Sequence, residues 1–97
     1  MSHFLLLDDV DVQHAFAKHL RRLREQAKLS REALATRSSV PAATIKKFEL
    51  TGKISFRQLL LLWQSLDDLQ RLFELTQEQI NNPVMPTSIE EVLKYGV

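Results

Sequence analysis

Start and stop signals for short helices recur along this chain at intervals of about ten residues, and that punctuation limits its fold more than any other feature. Ser30 and Ser55 are N-cap residues, Pro41 suits a helix start, and Gly52 suits a helix stop. Between them the apolar residues fall at helical, not alternating, spacing. With two Gly and three Pro in 97 residues, a turn-rich sheet protein is disfavoured. The expectation is an all-α chain of several short helices around one small core.

The pattern places five helices and one more beyond them. Asp8, Asp9 and Asp11 offer N-cap carboxylates for a first helix over about Val10–Gln26, with Val12, Phe16, Leu20 and Leu23 inward and Ala15 and Ala27 beside them. Lys28-Leu29 ends it. Ser30 opens a second helix, Arg31–Arg37, with Ala33 and Leu34 inward, and Ser38-Ser39-Val40 forms a turn. Pro41 takes the first position of a third helix, which runs to about Leu50 with Ile45 and Phe48 inward. Ser55 caps a fourth, Phe56–Leu66, whose core face is Leu59, Leu60, Leu62 and Trp63. Asp67 or Asp68 caps a fifth, carrying Leu69, Leu72 and Phe73. After Leu75 the chain turns polar, and Ser88-Ile89-Glu90-Glu91 is a capping box for a last helix, Ile89–Lys94. This divides the chain into a domain over 1–75, with an arm over 1–9, and a tail over 76–97.

Charge is distributed as unevenly as the caps are regular. Residues 18–57 hold eleven Lys or Arg and three Asp or Glu, a net of +8, while the two flanks together carry −7. A basic middle between acidic ends fits a polyanionic partner.

Other chemistry finds little support. There is no cysteine, which excludes a disulfide framework and a thiol nucleophile. His14 and His19 lie five apart, not at the i, i+4 spacing of a shared metal, so no metal and no cofactor are expected. Ser30, Ser55 and Ser88 read as caps without a His/Asp constellation, and the adjacent pairs Asp67-Asp68 and Glu90-Glu91 point different ways on a helix. An enzyme is not expected. The longest apolar run, Leu59–Trp63, is far short of the roughly 20 residues of a membrane span. Met1–Leu7 lacks the basic start and small-residue cleavage site of a signal peptide. The expected location is the cytoplasm, with no membrane partner.

Two short helices about a tight turn, framed by helices on both sides, form a helix-turn-helix. The second helix can then enter the DNA major groove by its N-terminal end while the first crosses the backbone. Here small residues, Pro41, Ala42 and Ala43, open the second helix, and Lys46 and Lys47 follow as cations. The ordered elements are Leu-Arg-x-x-Arg-Glu from Leu20, Leu-Ser-x-x-x-Leu-Ala from Leu29, Val40 in the turn, Thr-Ile-x-x-Phe-Glu from Thr44, and Gly52-Lys53. By these elements the stretch Leu20–Phe73, 54 of 97 residues, resembles the Xre/Cro/lambda-repressor-type helix-turn-helix family.

The resemblance implies a five-helix lambda-repressor-like domain that binds double-stranded DNA, commonly as a homodimer, and regulates transcription as a repressor. It implies that Arg31 contacts backbone or bases, that Pro41, Ala42, Ala43 and Lys47 face the groove, and that Thr44 and Lys53 contact phosphates. It also implies an ion pair between Arg24 and Glu49. The chain departs from the family pattern at Arg31, where Gln is usual, and at Ser39, where Gly is usual and the backbone geometry is demanding. It departs again at Glu49-Leu50-Thr51-Gly52, one residue longer than the usual Glu-Asn-Gly. Since Pro41, Ala42 and Ala43 offer no side-chain hydrogen bonds, base readout would fall to Lys46 and Lys47, an Ala contact with a thymine methyl, and DNA shape.

Two apolar stretches are candidates for the dimer seam: Phe4 and Leu5 in the arm, and Leu69, Leu72 and Phe73 on the fifth helix. Within the family, the run Phe48–Lys53 and the Leu-rich fourth helix look most like HipB-type antitoxins, which implies autorepression of a toxin–antitoxin operon and a kinase-like toxin as partner. The alternative is a protein-interaction module with the same fold that holds a partner through its tail without specific DNA binding.

Overall fold

The computed structural model describes residues 6–77, all in helices and short connections. The elements are α1 (Asp9–Gln26), α2 (Arg31–Ser38), α3 (Ala42–Thr51), α4 (Phe56–Leu66) and α5 (Leu69–Phe73), followed by a 3-10 turn, Glu74–Gln77. The described residues fall into two compact units that divide after Asp67. Phe4, Leu5 and the helix expected at Ile89–Lys94 lie outside the described residues.

Local side chains fix most helix ends. Asp8 and Asp11 form a reciprocal capping box at the start of α1, the Asp11 N–H donating to the Asp8 carboxylate at 2.9 Å and the Asp8 N–H to that of Asp11 at 3.3 Å. Ser30 and Ser55 accept from the N–H groups of Ala33 and Gln58, and Asp68 accepts from Gln70. Pro41 is displaced by one position from the expectation: with φ −57° and ψ 143° it is the N-cap of α3, not its first helical residue. The proline ring fixes φ alone, and that φ is compatible with both positions; ψ decides between them.

Three residues with positive φ make the turns between helices. Lys28 (φ 59°) closes α1 in a Schellman arrangement, with Lys28 N–H donating to Glu25 O and Leu29 N–H to Arg24 O. Ser39 (φ 65°) is the left-handed cap of α2, where the family resemblance asks for glycine. A left-handed non-glycine residue costs roughly 1–2 kcal/mol, and glycine returns part of that through its freer unfolded chain. Ser39→Gly is therefore expected to raise stability by up to about 1 kcal/mol, read from urea unfolding midpoints. Gly52 (φ 78°) ends α3 against α1, so closely that a Cβ there would stand 3.1 Å from Gln13 and 3.2 Å from the His14 nitrogen.

The core of the first unit lies where α1 and α2 both pack on α3 and α4. Ala17, Leu20, Leu34, Val40, Ile45, Phe48, Leu62 and Trp63 are buried. Phe16 meets Trp63 edge to face at 5.8 Å, and the His19 ring lies 5.4 Å from Trp63 with its Nε2 3.8 Å from the Asp67 carboxylate. The covered stripe of α1 follows the expected one at Leu20, and partly at Phe16 and Leu23, but not elsewhere. Ala17, Leu20 and Arg24 are buried, Phe16 and Leu23 are half-buried, and Val12, Ala15 and Ala27 are exposed. Periodicity marks an apolar face, but the packing partners decide which part of it is covered. On α4, Leu59 and Leu60 are half-buried behind Leu62 and Trp63.

Candidate nucleic-acid interface

The site is built outward from one buried carboxylate. Glu49, on the last turns of α3, has a side chain only 3% exposed. The Arg24 guanidinium binds it with two hydrogen bonds, Nε to Oε2 at 2.7 Å and Nη2 to Oε1 at 3.1 Å, and its Nη1 donates to the Leu29 carbonyl at 2.8 Å. One residue thus ties α1, the α1–α2 connection and α3 together. This is the Arg24–Glu49 pair that the resemblance implies. A second cation joins it unannounced: Arg31, at the start of α2, donates from Nε to Glu49 Oε1 at 2.9 Å.

Burial pushes the Glu49 carboxyl up, but hydrogen bonds from Arg24 and Arg31, with their charges, outweigh it and hold it below its ordinary range. The hydrogen bond to Glu49 likewise raises the Arg24 guanidinium against the opposing cost of its burial. The cluster therefore carries a carboxylate and two fixed cations at neutral pH, which leaves one excess positive charge at the head of α2.

Arg31 spends only its Nε on Glu49, and its side chain is 28% exposed. Among the described residues its terminal nitrogens make no hydrogen bond, so the guanidinium is oriented by one edge and open at the other. A second link of this kind stiffens the α3–α4 connection: the Thr51 hydroxyl donates to Lys47 O at 2.7 Å and accepts from the Lys53 N–H at 3.1 Å. Lys53 is exposed beside it.

On α3 the inward positions are Ile45 and Phe48, and the outward ones carry the candidate contacts. Pro41, Ala43, Lys46 and Lys47 are exposed, and Ala42 and Thr44 are half-buried. The turn that sets α3 against α2 is held from inside, where Val40 is fully buried and the buried Ser38 hydroxyl accepts its N–H at 3.1 Å. The small residues at the start of α3 leave its backbone close to the surface. Its cations lie further along the same open side.

Further cations lie on α1. These are Lys18 and Arg21, which with His14, Asp11 and Glu49 line an open cleft of about 560 Å³. Arg21 is half engaged with Glu25 at 3.1 Å, both exposed. The i, i+4, i+7 spacing of His14, Lys18 and Arg21 is visible in the sequence, but their proximity to Glu49 is not, because it depends on how α1 lies across α3.

The sequence profile of the helix-turn-helix domain family matches residues 15–79, which is most of the chain and includes all five helices except the first turns of α1. The chain belongs to the helix-turn-helix domain family, a class of DNA-binding regulators. No curated protein and no solved structure matches it. No helix among the described residues is long and apolar enough to cross a membrane.

Proposed function

We propose that this chain is a sequence-specific repressor of the Xre/Cro/lambda-repressor type, which binds an operator as a homodimer through α3. The observation that carries this reading is the open side of α3. Small residues at Pro41, Ala42 and Ala43 allow close approach to base edges, and the exposed Lys46 and Lys47 supply readout and phosphate attraction. Arg31 and Lys53 bracket that helix as phosphate contacts, with Thr44 between them. Arg31 held by Glu49 through one nitrogen is a preorganised donor for a phosphate oxygen.

A single recognition helix reads too little DNA for a unique site, and two related by a two-fold axis lie one helical turn apart, roughly 34–36 Å. The apolar residues assigned to the seam support a dimer: Leu69 and Leu72 are half-buried, and Phe73 is 56% exposed. Phe4 and Leu5 complete the assignment from the arm. The DNA-binding domain spans 1–75 and the tail 76–97, and the protein acts in the cytoplasm. The likeness to HipB-type antitoxins extends the proposal to autorepression of a toxin–antitoxin operon, with a kinase-like toxin as the protein partner.

Selection of a binding site from random duplexes, followed by titration of variants, tests the assignment. Lys53→Ala is expected to weaken binding equally at every sequence and to flatten log K against log salt by about 0.9. Lys46→Ala/Lys47→Ala is expected to abolish the preference for the selected site. A double variant that binds that site as tightly as the parent at moderate salt removes α3 from the interface.

A further inference from the structure

We propose that Leu50, near the end of α3, reads a thymine in the DNA major groove through the C5-methyl group of that base. It supplies a base discrimination that Pro41, Ala42 and Ala43 cannot supply by side-chain hydrogen bonds. The inference rests on the DNA-binding reading above and adds to it a residue that sets which base sequence is preferred.

Leu50 shares the open side of α3 with the candidate contacts. Ala43, Lys46, Lys47 and Leu50 follow one another at i, i+3, i+4 and i+7, the spacing of a single helix stripe, and all four are exposed. Leu50 is 61% exposed. The other large exposed hydrophobic residues among the described ones lie in or just before the first turn of α1, at the start of α4, or from Phe73 onward. On its own stripe Leu50 therefore has cations and a small residue for neighbours, not an apolar cluster. The backbone that carries it is held on both sides. Glu49 before it binds Arg24 at 2.7 Å, the Thr51 hydroxyl after it donates to Lys47 O at 2.7 Å, and Gly52 abuts α1. The leucine thus meets DNA from a fixed position, with only its side-chain torsions left to order.

A lone exposed leucine is ordinary on a surface that stays wet. On a surface that closes against base edges it discriminates. Leucine neither donates nor accepts a hydrogen bond. Against guanine O6 and N7, adenine N6 and N7, or cytosine N4 it strips water from a polar atom and returns no partner, which weakens binding. Thymine alone presents a methyl group on the major-groove edge, and there the same leucine buries apolar surface on both sides. Leu50 stands seven residues beyond Ala43, about 10 Å along the helix axis. That is roughly the rise of three base pairs, so the thymine it contacts lies about three base pairs from the one nearest Ala43. In a two-fold operator this thymine occurs once in each half-site.

Replacing thymines of the selected duplex one at a time by deoxyuridine, which lacks only the methyl group, tests the contact with the full chain. For the parent, one thymine in each half-site is expected to lose about fourfold in affinity on this exchange, the worth of one buried methyl group. Leu50→Ala is expected to bind the thymine and deoxyuridine forms of that position equally, with losses at other thymines unchanged and thermal unfolding near that of the parent. Leu50→Met, which keeps the apolar volume, is expected to retain the methyl dependence. A purely structural role for Leu50 would weaken both duplexes alike and leave the pattern of losses in place. That pattern in Leu50→Ala, or a parent whose selected site holds no thymine sensitive to the exchange, overturns the assignment of Leu50 and leaves the DNA-binding reading intact. A parent that binds no duplex even at low salt overturns both.

Discussion

Glu49→Ala is expected to destabilise the protein by about 3–5 kcal/mol, because it leaves the buried Arg24 guanidinium without a counter-charge. Arg24 is 8% exposed and gives two of its hydrogen bonds to Glu49. The expected loss is a large share of the roughly 5–15 kcal/mol that holds a domain of this size together. A double-mutant cycle with Arg24→Ala should show coupling on the order of 1–3 kcal/mol. Additive effects in urea unfolding would mean that the two groups act independently.

The same cluster sets a pH dependence of definite sign. The folded-state Glu49 carboxyl lies below its ordinary value. Its contribution is therefore complete above the ordinary carboxylate range. It declines as pH falls through that range and is gone below the lowered folded value. Glu49→Gln should remove this part of the acid dependence, visible as a flatter plot of unfolding free energy against pH. An unchanged plot would place the acid sensitivity elsewhere.

Phe48→Ala carries the second large effect, about 3–5 kcal/mol, the usual range for emptying a buried aromatic site. Phe48 is 1% exposed on the inward side of the helix whose outward side carries Lys46 and Lys47. Its loss should lower DNA affinity only in proportion to the unfolded fraction. Lys46→Ala and Lys47→Ala should do the reverse, leaving the unfolding midpoint nearly unmoved while binding falls. Equal thermal midpoints for Phe48→Ala and the parent would contradict the packing of α3 described here.

What could be read from the sequence divides along physical lines. Caps are local, because an N-cap hydroxyl or carboxylate acts within three residues: Ser30 and Ser55 place two helix starts correctly, and the candidate sets Asp8, Asp9 and Asp11, and Asp67 or Asp68, each contain the residue that caps, Asp8 and Asp68. The helix stop at Gly52 is likewise short-range, whereas the left-handed backbone at Ser39 is signalled only by the family resemblance, which asks for glycine there. Which side of α1 is covered is not local. Val12 has the spacing of a core residue yet stays exposed, whereas Ala17 is buried. The Arg24–Glu49 tie spans 25 residues and was accessible only through the family resemblance. The bond from Arg31 to the same carboxylate spans 18 and had no sequence signal, since an exposed cation at a helix start reads as a DNA contact with or without it.

Titration of the unmodified chain against its selected duplex, repeated between roughly 50 and 200 mM salt, tests DNA binding through this face most directly. The expected result is a straight decline of log K with log salt, with a slope of about −3 to −4 for each chain bound, as Arg31, Lys46, Lys47 and Lys53 each release a counterion. Absence of binding at the lowest salt, or binding that does not change with salt, would contradict it.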